Sequence, residues 1–141
     1  VNELTANRYQ PSCCTALYDA MGMSLNALRK KIAEDDKVLV TVVTDGYENA
    51  SKEYNDKAIK LLVDELKAKG WVFAYIGANQ DVEAVAATIS ITNVMNFEST
   101  NEGTKRMSRI MGNARTRLYD RIAKLGCTFS SDDANEDFFD E

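Results

Sequence analysis

The sequence predicts an α/β fold in which an open, mainly parallel sheet is flanked by helices in three layers. Two short apolar runs, 38–44 and 71–76, are rich in β-branched and aromatic residues, and each stops at a glycine-containing turn. Segments with helical periodicity precede, separate and follow these runs. This alternation of helix and strand favours parallel strands joined by right-handed crossovers.

The first predicted helix covers residues 15–33 and follows a polar segment, 1–12, that is predicted to be a loop. Thr15 stands where a helix N-cap would be placed. The strand at 38–44 comes next. Because its apolar residues are continuous and do not alternate with polar ones, we expect it to be buried on both faces. The apolar stripe of the first predicted helix, 15–33, is formed by Leu17, Ala20, Met21, Leu25, Leu28 and Ile32.

After this strand the sequence predicts a helix at 53–69 ended by Gly70, the strand at 71–76, a short helix at 81–88 and a weaker edge strand at 93–97. Ser99 and Glu102 have the spacing of a capping box that opens a long helix, which Gly126 ends. The outer face of that helix is basic, and we expect it to be solvated or to bind the acidic end of the chain. Its cations are Arg106, Arg109, Arg117, Arg121 and Lys124.

The chain is predicted to hold one α/β domain, residues 1–129, and an acidic tail, residues 130–141. The tail carries six acids and no base, and leaving it out changes the formal charge from −5 to +1. A nearly neutral body argues against a nucleic-acid partner. Because the tail has only Phe138 and Phe139 to bury, it is predicted to be disordered and dispensable for folding.

The amino-acid composition argues against two common kinds of functional site. The chain has no histidine, and Cys13, Cys14 and Cys127 form no Cys-x-x-Cys pair, so a zinc site and histidine-based triads are not expected. The odd number of cysteines gives no disulfide framework and favours a reducing, cytoplasmic setting. No stretch approaches the roughly 18 apolar residues of a membrane span, and no membrane partner is predicted.

Two motifs carry the candidate site. Cys13-Cys14-Thr15-Ala16-Leu17 runs into the first helix, and Thr44-Asp45-Gly46-Tyr47-Glu48-Asn49 ends the strand that follows. The carboxyl ends of the strands are where open α/β sheets bind ligands. Taken alone, Thr15 is equally well explained as a helix cap and Asp45 as a turn residue.

Together the motifs resemble the second and third parts of the metal-ion-dependent adhesion site of von Willebrand factor A domains. In that family a Gly-x-Thr-Ala-Leu-like loop provides a threonine, matched by Thr15, and a strand ending in Thr-Asp-Gly provides an aspartate, matched by Asp45. The strand at 71–76 with Gly77-Ala78-Asn79 resembles the family's next strand, so that the resemblance covers residues 12–97. The family's first motif, Asp-x-Ser-x-Ser, does not occur here, and Cys14 stands where glycine is common. The sequence therefore looks like the C-terminal portion of such a domain.

The resemblance implies a protein–protein interaction module and not an enzyme. Mg²⁺ at the strand ends would be held by Thr15 and Asp45 and completed by a carboxylate of the partner. Two oxygen donors suffice only for a weakly held, hydrated ion. Gly46, Glu48 and Asn49 are expected to form a rim that contacts the partner or bonds the loop backbone.

Two other functions stay open: a metal-free assembly domain, and a small Mg²⁺-dependent phosphoryl-transfer enzyme that uses Asp45 and Glu48. The sequence has no Walker-type loop and no Gly-x-Gly-x-x-Gly, which counts against the enzyme.

By analogy with the family, the strand at 38–44 would pair on its second side with a strand outside this sequence. Because that edge has no Lys or Pro to protect it, a homo-oligomer or a strand-supplying partner is expected.

Overall fold

The computed structural model describes residues 5, 7, 14–78, 81–130, 132–133 and 138–139. Its helices and strands alternate as predicted, and the α/β fold class is confirmed. The elements are α1 (Leu17–Leu28), β1 (Leu39–Thr44), α2 (Asp56–Ala68), β2 (Val72–Gly77), α3 (Val82–Thr88), β3 (Asn93–Asn96), α4 (Asn101–Leu125) and a 3₁₀ turn (Gly126–Thr128). Within these residues, no helix is both long and apolar enough to cross a membrane.

The three strands form a parallel sheet in the order β1-β2-β3. The register sets Leu39 opposite Val72 at the start of β1 and Thr44 opposite Gly77 at its end. Parallel neighbours need a crossover, and α2 and α3 provide the two crossovers of this sheet. In the part of the chain that the structure describes, β1 and β3 are therefore the edge strands.

Helices cover the sheet on both faces. One core lies between the sheet and α1, α2 and α3 and is centred on the fully buried Tyr75. A second core lies under α4 and includes Ala74, Ile76 and Met95. All of β2 is buried, as expected for a central strand. β1 departs from the predicted burial on both faces, because Val43 is 53% exposed on the side of the sheet where α4 lies.

Three helix starts differ from their predicted positions, since α2 begins at Asp56 and not at 53, and α1 and α4 have other N-caps than predicted. α1 begins at Leu17 with Ala16 as its N-cap, and Thr15 makes no side-chain cap. The N-cap of α4 is Thr100 and not Ser99, because the Thr100 hydroxyl accepts the hydrogen bond from the Gly103 backbone N–H over 3.0 Å. A Cβ atom on Gly103 would collide with the backbone of Glu98, so this cap needs a glycine at the position whose N–H the Thr100 hydroxyl accepts.

The acidic tail packs on α4 where the structure describes it. Phe138 is buried in the second core, and Phe139 lies edge-on to it with ring centroids 4.8 Å apart. Arg117 Nη2 donates to the carbonyl of Phe138 over 3.2 Å, and Arg121 Nη1 donates to the carbonyl of Asp133 over 2.9 Å. The two phenylalanines are thus covered by the folded body, and the dispensability of residues 130–141 for folding stays a prediction. The second core offers them apolar cover that the tail sequence alone does not reveal.

Candidate functional site

The candidate site lies at the carboxyl end of β1, where the chain turns sharply. The Thr44 hydroxyl donates to the carbonyl of Gly46 over 2.9 Å and accepts from the Gly46 N–H over 3.4 Å. The Thr44 carbonyl accepts from the Ala78 N–H over 3.1 Å, which ties the strand end to the segment after β2. Asp45 lies on this turn and is exposed.

The structure brings Thr15 to the same turn. Its backbone N–H donates to Oδ1 of Asn49 over 2.8 Å, and its carbonyl accepts from the Asn49 N–H over 3.0 Å. A Cβ atom placed on Gly46 would lie 3.8 Å from the Thr15 hydroxyl oxygen, which is ordinary van der Waals contact. The two motifs, which stand about thirty residues apart in the sequence, thus form one local structure.

Glu48 holds the loop against the start of α1. Its Oε1 accepts from the backbone N–H groups of Ala50 and Ser51, and its Oε2 accepts from the Tyr18 N–H and the Ser51 hydroxyl, all within 2.9 Å. Partial desolvation, the largest single influence, raises the pKa of Glu48, but these hydrogen bonds together outweigh it and lower the pKa below its usual 4.5. The ionised carboxylate of Glu48 therefore accepts hydrogen bonds within the loop and from the first turn of the helix.

Asp19 makes the reverse connection, from α1 to the loop. Its carboxylate accepts from the backbone N–H groups of Lys52, Glu53 and Tyr54 over 2.8–2.9 Å. The hydrogen bond from Lys52 is the strongest cause of a pKa below the usual 3.8. This role of Asp19 is not predictable from the sequence. No local pattern points to it, since the groups that it binds lie more than thirty residues away.

The five predicted site residues divide into two groups. Glu48 and Asn49 place their side-chain oxygens on loop and helix backbone, which is one of the two roles expected for them. Thr15 and Asp45 flank Gly46 at the turn, where one hydroxyl and one carboxylate lie close together. No three His, Cys, Asp or Glu side chains among the described residues are grouped so as to hold a metal. The donor set fits a hydrated ion that keeps most of its waters, and not an enclosed site.

Ser51 and Glu48 are the nearest approach to a catalytic pair at this site. The Ser51 hydroxyl donates to Glu48 Oε2 over 2.8 Å and also accepts from the Asp19 N–H over 3.0 Å. A carboxylate whose pKa is held low by several donors is a weak general base at neutral pH. The hydrogen bonds of the pair hold the loop to the start of α1.

No family model matches the chain, and no curated protein or solved structure gave a match. The resemblance to von Willebrand factor A domains rests on the two motifs and on their residue types. Asn79, the last residue of the Gly77-Ala78-Asn79 segment, and Cys13, the first residue of the threonine motif, lie outside the described residues.

Proposed function

We propose that this chain is a protein-interaction module of the von Willebrand factor A type. Its partner would dock on the turn after β1, and a Mg²⁺ ion held by Thr15 and Asp45 would be completed by a carboxylate of the partner. The observation that carries this proposal is the reciprocal pairing of Thr15 with Asn49, which fixes a hydroxyl beside the turn that carries an exposed carboxylate.

The chemistry of the turn supports a binding role. Mg²⁺ prefers oxygen ligands in octahedral geometry, parts reluctantly with its waters, and is commonly held by one or two carboxylates together with a ligand group. One hydroxyl and one carboxylate leave room for several waters and for an incoming oxygen. A weak site of this kind makes the affinity for metal depend on the partner, and the affinity for the partner on metal.

The exposed thiols fit a reducing, cytoplasmic environment, which we include in the proposal. Cys14 lies next to Thr15, and Cys127 lies in the turn after α4; both are free and exposed. Exposed thiols stay reduced in the cytosol and are open to oxidation elsewhere. A thiol beside the cation turn therefore suits an intracellular partner.

Thermal unfolding in the presence of Mg²⁺ or Mn²⁺ tests the proposal. For a dissociation constant of about 1 mM, roughly 10 mM ion raises the free energy of unfolding by about 1.4 kcal/mol. Asp45→Asn and Thr15→Val keep the side-chain shapes and should abolish this gain, whereas Asp35→Asn, at an exposed site before β1, should retain it. Acetate, as a carboxylate probe, should enlarge the gain from Mn²⁺. If neither Mg²⁺ nor Mn²⁺ changes the free energy of unfolding of the wild-type protein, the metal is removed from the proposal.

A further inference from the structure

We infer that β1 is a self-association surface. Two copies of this chain would pair antiparallel through their β1 strands about a two-fold axis at Thr41, and the two three-stranded sheets would become one continuous sheet. The inference needs no cation, because it depends on the backbone, shape and charge along β1, although Asp45 belongs both to this surface and to the proposed cation site.

The backbone of β1 points half of its polar groups away from β2. The carbonyls of Val38 and Thr44 accept from the N–H groups of Val72 and Ala78, both on the β2 side. Because these directions alternate along a strand, the polar groups of the odd-numbered residues 39, 41 and 43 point to the opposite edge. No described residue pairs with them there.

A two-fold axis at Thr41 is the register that uses all three of these residues. It sets Thr41 opposite its own copy and Leu39 opposite Val43 of the second copy. Every one of these pairs has its N–H and C=O groups directed at the other strand, so each can exchange two hydrogen bonds. Shifting the axis by one residue in either direction leaves one of the outward-facing residues without a partner inside the strand.

Shape is self-complementary in the same register. At the end of β1, Val43 presents a side chain that is 53% exposed on the α4 side of the sheet. At the start of β1, on that same side, a cavity of about 350 Å³ opens between the strand and α4. Since Val43 of each copy lies opposite Leu39 of the other, each exposed valine faces the other copy's cavity. The cavity is lined by Leu39, Thr41, Leu118, Tyr119, Ile122 and Phe129 among others.

Charge agrees with shape. Lys37 precedes β1 by two residues and Asp45 follows Val43 by two, and both are exposed. The axis at Thr41 sets Lys37 of each copy opposite Asp45 of the other. β1 itself contains no charged residue and no proline, the devices by which edge strands are usually protected from pairing. One two-fold axis thus places the projecting Val43 of each copy at the cavity of the other, and Lys37 of each copy opposite Asp45 of the other. A symmetric dimer requires a patch that is self-complementary in this way.

The oligomeric state of the full chain, measured by light scattering in EDTA, tests the inference without any contribution from a cation. At tens of micromolar, within the range where exposed strand edges associate, we expect twice the mass of the 15.7 kDa chain. Val43→Lys should give a monomer, whereas Leu61→Lys, at a 71% exposed position on α2, should remain a dimer. A monomeric wild type would overturn the inference, even if another protein were found to add a strand to β1.

Two further measurements test the register. Lys37→Glu and Asp45→Lys, each alone, should raise the dimer dissociation constant roughly tenfold, because they set like charges opposite each other, and the double variant should restore it. In a background with Cys13, Cys14 and Cys127 replaced by serine, Thr41→Cys should oxidise to a linked dimer, since paired Cα atoms lie about 5.5 Å apart. Val43→Cys should not, since its copies lie far apart across the axis. Linkage at Val43 and not at Thr41 would overturn the register.

Discussion

Oε2 of Glu48 lies 2.9 Å from the backbone nitrogen of Tyr18, so that a loop carboxylate binds the first turn of α1. Asp19, in that same turn, binds three backbone N–H groups of the loop in return. Glu48 and the Ser51 hydroxyl, which accepts from the Asp19 N–H over 3.0 Å, replace the side-chain cap that α1 lacks at Ala16. The position of Thr15, two residues before α1, thus depends on side chains that hold the loop to the helix.

These carboxylates should make the protein less stable as the pH becomes acidic. Because the pKa values of Asp19 and Glu48 are lowered by folding, their ionised forms stabilise the native state above about pH 4.5, and this contribution is lost as the pH falls through the folded values. We expect the melting temperature to be nearly constant from pH 7 to 5 and to fall steeply below pH 4.5, as followed by circular dichroism.

Glu48→Gln isolates one of the two groups. The amide nitrogen of glutamine cannot accept the N–H donors that one oxygen of Glu48 accepts, so the variant should be less stable at pH 7 by about 1–3 kcal/mol. Its melting temperature should also depend less on pH below 4.5. Glu34→Gln, at an exposed position, is the matched control and should behave as wild type. If the melting temperature of Glu48→Gln depends on pH in the same way as that of the wild type, ionised Glu48 does not contribute to the acid dependence of stability.

Gly22 allows α1 to pack against the loop. A Cβ atom there would lie 2.5 Å from the ring of Tyr54, whose hydroxyl is held by Asn26 at 3.1 Å. Gly22→Ala should therefore destabilise the protein by about 1–2 kcal/mol in urea unfolding, despite the better helix propensity of alanine. Gly112→Ala, on α4, meets no atom within 4 Å and should stabilise by about 0.5–1 kcal/mol. Equal effects at the two glycines would refute this account of Gly22.

The fold was predictable from the sequence because its signals are local. The apolar runs that become β1 and β2, the helical stripes and the terminating glycines Gly70 and Gly126 all act within a few residues, and the structure places them where the patterns indicate. The motif that contains Thr15 and the one that contains Asp45 could likewise be paired, because a strand end and the start of the preceding helix meet at one edge of such a sheet.

The rest depends on contacts between distant segments. The sequence gives Asp19 no role beyond the first turn of a helix, yet its partners are backbone groups at 52–54, which no residue type marks. Phe138 looks like a residue of a disordered tail until the apolar surface under α4 is known. The exposure of Val43 follows from how far α4 extends across the sheet, which periodicity along a single strand does not encode.

Asn49→Ala tests how Thr15 is held. The variant removes the side-chain acceptor of the Thr15 N–H and leaves the backbone hydrogen bond from Asn49 to the Thr15 carbonyl. We expect a loss of about 0.5–1.5 kcal/mol in unfolding free energy and faster hydrogen exchange at the Thr15 amide, with exchange in β2 unchanged. Asn49→Asp, which keeps an acceptor, is the control and should protect the amide. Unchanged exchange in Asn49→Ala would show that the loop is held without this bond.

Phe138→Ala tests whether the tail belongs to the folded unit. The side chain is 6% exposed and packs in the second core, and its carbonyl accepts from Arg117. Truncating it should cost about 2–4 kcal/mol, whereas Phe138→Leu, which preserves most of the buried apolar area, should cost less than half as much. Deleting residues 130–141 should lower the melting temperature at least as far as Phe138→Ala, because it removes the same contact together with the Asp133 carbonyl that Arg121 binds. If the deletion leaves the melting temperature unchanged, the tail is dispensable, as its composition alone predicts.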